Sequence, residues 1–99
     1  MGWANRAIEL LRSGQDAVIK PHGGSMRPLV ESGATVTLTP VTFEQLEVGD
    51  IVLCRVAGNV YLHLVKARDA ERVQIGNNRG RINGWTRAVY GKAIAIVNP

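Results

Sequence analysis

Ser25 lies in the run Gly23-Gly24-Ser25-Met26-Arg27-Pro28, the stretch whose residue types first suggest chemistry. Two glycines ahead of a serine let the backbone turn steeply and let another chain come close. Such a turn can present a hydroxyl and its neighbouring N–H groups at the edge of a cleft, and Pro28 stiffens the exit. Alone, the hexapeptide reads as a glycine-rich turn with a solvated serine. His63 is the second candidate, within Tyr61-Leu62-His63-Leu64-Val65. Strand alternation puts Leu62 and Leu64 on one side and Tyr61, His63 and Val65 on the other. A histidine opposite two leucines can line a cleft, and an ordinary pKa of about 6.5 suits a general base near neutral pH. Taken singly, it reads as a half-buried histidine bonded to backbone.

Lys66 is the competing base. A neutral lysine can activate a serine, but only after burial lowers its pKa. In a regular strand Lys66 and His63 face opposite ways, so both serve only if a bulge intervenes. The neighbours Arg68, Asp69 and Glu71 read as solvated, which makes Lys66 a surface residue. His22, three residues before Ser25, could line the same cleft. Two histidines without a nearby set of Cys, His or Asp do not make a metal site, and neither metal nor organic cofactor is expected. The segment from Gly76 to Gly84 holds Asn77, Asn78 and Asn83. Turns explain much of it, yet the amides could also orient a histidine or hold a peptide backbone. It lacks the lysine and serine of a nucleotide-binding loop.

These groups need elements to position them. Trp3, Ala7, Leu10 and Leu11 fall at helical spacing, which predicts a short amphipathic helix over residues 3–12, stopped near Gly14. From residue 16 the pattern changes to short β runs. Strands are predicted at Ala17–Lys20, Ala34–Thr39, Ile51–Val56, Val60–Lys66, Glu71–Ile75 and about Ala88–Val97. Pro40 ends the second strand, Gly58-Asn59 reads as a tight hairpin turn, and Gly76–Gly84 reads as a loop. The predicted fold is mostly β: one helix over residues 1–14 and a coiled, mostly antiparallel sheet over 16–97, in one domain of 99 residues.

Composition narrows the partners. The net charge of +4 keeps nucleic acid in view, but acids break up the basic residues. Aromatics make up only 5% of the chain, too few for a base-stacking platform, so nucleic acid is not expected. Cys54 is the one cysteine, and it reads as a small buried hydrophobe. No intrachain disulfide can form, and a reducing compartment fits. No secretory signal or spanning run is visible, so the expected location is the cytoplasm.

The order of these pieces resembles the superfamily of type I signal peptidases and LexA-type self-cleaving repressors. Gly23-Gly24-Ser25-Met26-Arg27-Pro28 is similar to its Gly-x-Ser-Met-x-Pro box. Ser32-Gly33-Ala34-Thr35-Val36 is similar to the turn and strand that follow, and Gly49-Asp50-Ile51-Val52 to its Gly-Asp box. Tyr61-Leu62-His63-Leu64-Val65 resembles the base-bearing strand of the histidine branch. Gly76-Asn77-Asn78 resembles a Gly-Asp-Asn-Asn-like loop, and Tyr90-Gly91-Lys92-Ala93-Ile94 a late Gly-Arg-Val-like strand. The resemblance implies a partly open β barrel and a serine endopeptidase, with Ser25 as nucleophile and His63 as general base. It further implies Gly23, Gly24 and Met26 at an oxyanion and substrate groove, and a polypeptide substrate extended beside the strand before Ser25. This chain departs from the family at Ala34, at Leu64, and at Asn77 and Asn83, where the histidine branch tends to carry aspartates. An inactive peptide-binding or assembly module on the same fold is the alternative, and a homodimer stays open.

Overall fold

The computed structural model describes residues 2–99. Helix α1, Asn5–Arg12, buries Ala7, Ile8 and Leu11, with Leu10 half-buried beside them. It starts two residues later than its spacing predicts, and Trp3 lies outside it and 56% exposed rather than on its buried face. The stop falls at Gly14, as expected. Gln15 N–H donates to Leu10 C=O and Gly14 N–H to Leu11 C=O, while Gly14 takes φ +86°. That is the 6→1 and 5→2 pairing of a Schellman ending, which needs a residue at ease in the left-handed region.

Seven strands follow: β1 Ala17–Ile19, β2 Thr35–Pro40, β3 Ile51–Val56, β4 Asn59–Arg68, β5 Val73–Gly76, β6 Ile82–Thr86 and β7 Val89–Val97. They form one antiparallel sheet in the order β1-β2-β7-β3-β4-β5-β6. The sheet coils without closing, so the fold is mostly β with one short helix. Near its far end Thr86 O–H donates to Arg55 C=O at 2.7 Å, tying β6 to the end of β3.

Alternation builds a core on each face. Leu53, Leu62 and Leu64 point with Val36 and Leu38 toward α1, Met26 and Val30. Val52, Cys54, Val56 and Val65 point the other way, with Leu46, Val73 and Ile75. Cys54 is buried as expected, and burial pushes its thiol up to about 12, so it is inert at neutral pH.

Three sequence expectations need correction. The β3–β4 turn is Ala57-Gly58, one residue before the predicted Gly58-Asn59, and Ala57 takes φ +49°. The predicted loop from Gly76 to Gly84 gives way to strand β6 at Ile82, and the pairs Ile75↔Gly84 and Gly76↔Ile82 leave Asn83 as the extra residue in a bulge. β4 runs on past Lys66 to Arg68. The pairs Val65↔Ile75 and Ala67↔Gln74 leave Lys66 as an extra residue in a bulge.

Candidate active site

His63 sits where β4 changes partners. β3 pairs with β4 along Asn59–Leu64, but β5 pairs with it only from Leu64 onward. The second edge of residues 59–63 is therefore left by β5, and the loop carrying Ser25 comes alongside there. The Gly49-Asp50 turn fixes β4 two residues further on. Gly49 N–H donates to Val65 C=O, and Val65 N–H donates to Asp50 C=O, both at 2.9 Å.

Ser25 is exposed, and its Oγ lies 3.2 Å from His63 Nε2. His63 Nδ1 lies 2.7 Å from Asn83 Oδ1. The amide oxygen only accepts, so Nδ1 carries the proton and donates, leaving the Nε2 lone pair to accept from the Ser25 hydroxyl. Tyr61 stacks on the imidazole with ring centroids 4.9 Å apart, fixing the ring plane from the neighbouring position on the same face. His63 is only 7% exposed. Burial lowers its pKa below the ordinary 6.5, the Asn83 hydrogen bond raises it in part, and the nearby Arg81 charge lowers it again. The ring is neutral at pH 7, the form a base needs.

The loop around the serine is held from two sides. From the β5–β6 turn, Asn78 N–H donates to Ser25 C=O at 3.0 Å and Asn78 Nδ2 donates to Arg27 C=O at 2.9 Å. From the end of β7, Asn98 Oδ1 accepts from Glu31 N–H, and its Nδ2 donates to Leu29 C=O. Gly23, at φ +105°, donates its N–H to Ser32 Oγ. The N–H groups of Gly24, Ser25 and Met26 find no protein acceptor among the described residues. Three adjacent unspent donors beside the hydroxyl could bind an oxyanion.

The other candidates take different places. Asn77 shapes the turn: its Oδ1 accepts from Arg79 and Arg81 N–H. Lys66 does not reach the cleft. Its stem lies against Gly76, with Cγ 3.0 Å from where a Cβ there would be. His22 lines the cleft beside Ser25, without a hydrogen bond to it among the described residues. Among the described residues no cluster of three metal-ligating side chains occurs, and no helix is long and apolar enough to cross a membrane. Asn98 and Arg81 carry no signal in the sequence: each is a lone polar side chain with no periodicity or motif to mark it. No protein-family model matches the chain, and no curated protein matches it.

A cleft of about 720 Å³ opens from this site, between α1, β1, the serine loop and the start of β4. β1 is an edge strand, so the backbone groups on its outer side are free to pair. The unpaired side of residues 59–63 supplies a second such edge.

Proposed function

We propose that the chain is a serine endopeptidase that acts on an extended peptide, with Ser25 as nucleophile, His63 as general base and Asn83 orienting the imidazole. The observation that carries the reading is the Ser25 Oγ–His63 Nε2 approach of 3.2 Å, with the tautomer set by Asn83 at 2.7 Å. His63 Nε2 takes the hydroxyl proton as Oγ attacks the peptide carbonyl carbon. The oxyanion that forms is met by the free N–H groups around Ser25. The protonated Nε2 then gives its proton to the leaving amine, the C–N bond breaks, and an acyl ester remains on Ser25. Water, deprotonated by His63, hydrolyses that ester. The substrate lies in the cleft as an added strand against β1. The buried thiol of the single cysteine suits work in a reducing compartment such as the cytoplasm.

A fluorophosphonate probe followed by intact-mass spectrometry tests this. Wild type takes up one label, Ser25→Ala takes up none, His63→Ala reacts far more slowly, and Lys66→Ala labels like wild type. Loss of labelling in Lys66→Ala alone would move the base to lysine. A folded wild type that binds peptide and never labels would support the inactive module, and Asn83 would be the first suspect.

A further inference from the structure

The cleft has an apolar floor and a basic rim, and the two together describe a ligand. Met26, Ile19 and Leu62 form buried parts of the floor, and Leu10 of α1 lines it from one wall. Trp3 stands at the rim, 56% exposed, as a large apolar surface with no cover. Arg6 and Lys20 line the same cleft from α1 and from the end of β1. Their charges are little compensated. Arg6 approaches Glu9 only to 3.8 Å, with both side chains more than two-thirds exposed at 81% and 72%, a pair that holds little energy. Lys20 has no ion pair among the described residues. The one acid lining the cleft, Glu31, is already bound to Arg27 at 2.8 Å. A cleft with low-dielectric walls and one sign of charge concentrates ligands of the opposite sign.

We propose that the cleft selects extended peptides in which a large apolar side chain lies two residues from a carboxylate, so that strand alternation turns both to the same face. The apolar group seats between Trp3 and Leu10, and the carboxylate faces Arg6 and Lys20. This rests on the reading of the cleft as the substrate groove, but it does not need the chemistry at Ser25. Helix α1 is then a specificity element, since it supplies both an apolar wall and a cation.

The test uses Ser25→Ala protein, which keeps the groove and cannot turn over, and three fluorescein-labelled hexapeptides. They are alternating Val and Thr except for Leu at the third position and Glu, Gln or Lys at the fifth. Fluorescence anisotropy should show the Glu peptide binding about tenfold tighter than the Lys peptide at low salt, and the gap should narrow as salt rises. Arg6→Glu with Lys20→Glu, both on exposed side chains, should invert the order. Trp3→Ala should weaken all three alike. Equal affinities, no binding, or an order that survives the double reversal would overturn the proposal. Parallel probe labelling of wild type separates the two readings. Labelling without charge selection leaves the peptidase and sinks the selectivity. Charge-selective binding without labelling does the reverse.

Discussion

Asn83 decides how good a base His63 can be. Its amide oxygen fixes the Nδ1–H tautomer, as a carboxylate would, but it brings no negative charge to stabilise the imidazolium. With burial and Arg81 also opposing protonation, the ring is a ready but weak base. The acid limb of Ser25 labelling should therefore have its midpoint below 6.5. Arg81→Ala removes a positive neighbour, which favours the imidazolium, so the pKa rises and activity is lost at a higher pH than in wild type. A pH series of labelling rates on the two proteins checks the sign. Asn83→Asp should raise both the midpoint and the rate at neutral pH. Asn83→Ala should cost about 10- to 100-fold, the worth of one hydrogen bond to a charged group. Of this chain of groups, residue types and strand alternation made Ser25 and His63 candidates, though each taken alone reads as an ordinary turn serine or a structural histidine. Asn83 was only one amide among several in a glycine-rich stretch. Its role depends on β6 lying next to the β4–β5 pair, a long-range arrangement without local periodicity.

The elements place the nucleophile through backbone clasps. Asn78 holds Ser25 and Arg27, and Asn98 holds Leu29 and Glu31, so a loop without regular structure is pinned at both ends. Asn78→Ala keeps the backbone bond to Ser25 and loses the one to Arg27. The expected result is slower labelling with a small loss of stability, about 1 kcal/mol, because the bond is exposed. A rate unchanged beside a clear drop in Tm would make Asn78 merely structural. The β3–β4 hairpin carries a different weakness. Its two-residue turn puts Ala57 at φ +49°, where a Cβ is strained and asparagine is tolerated. Ala57→Asn should stabilise by about 0.5–1 kcal/mol, raising Tm by roughly 2–8 °C. The turn was legible to within one residue from Gly58. Its true frame was not, because alanine is not a residue expected to accept that conformation. The bulge at Lys66 was hidden for a related reason: an extra residue leaves the composition of a strand unchanged.

At the scale of the whole molecule, an open sheet must hold a helix on one face while leaving β1 free at its edge. Periodicity gave the number of helices and most strands, but not how closely they approach one another. Gly91 shows what was missing. It lies in β7, paired with Pro40 of β2 and Leu53 of β3, directly beneath α1. A Cβ there would come within 2.6 Å of Thr39 C=O and 2.9 Å of Leu11 Cδ2. The first contact is ladder backbone and cannot yield without shifting β2 against β7. The second is the far end of a side chain, which can move if α1 lifts. Gly91→Ala should therefore destabilise by about 1–3 kcal/mol, the usual cost of overpacking. Thermal unfolding should show Tm lowered by roughly 4–20 °C for a domain of this size. A double-mutant cycle separates the two contacts. If lifting α1 is the main cost, Leu11→Ala combined with Gly91→Ala should lose less than the two single losses together, by more than about 0.5 kcal/mol. In that case a displaced α1 should also carry Leu10 and Trp3 away from the cleft, and Gly91→Ala should bind the hexapeptides more weakly while labelling of Ser25 persists. Additive losses with unchanged peptide affinity would assign the whole cost to the Thr39 carbonyl and leave the helix where it is.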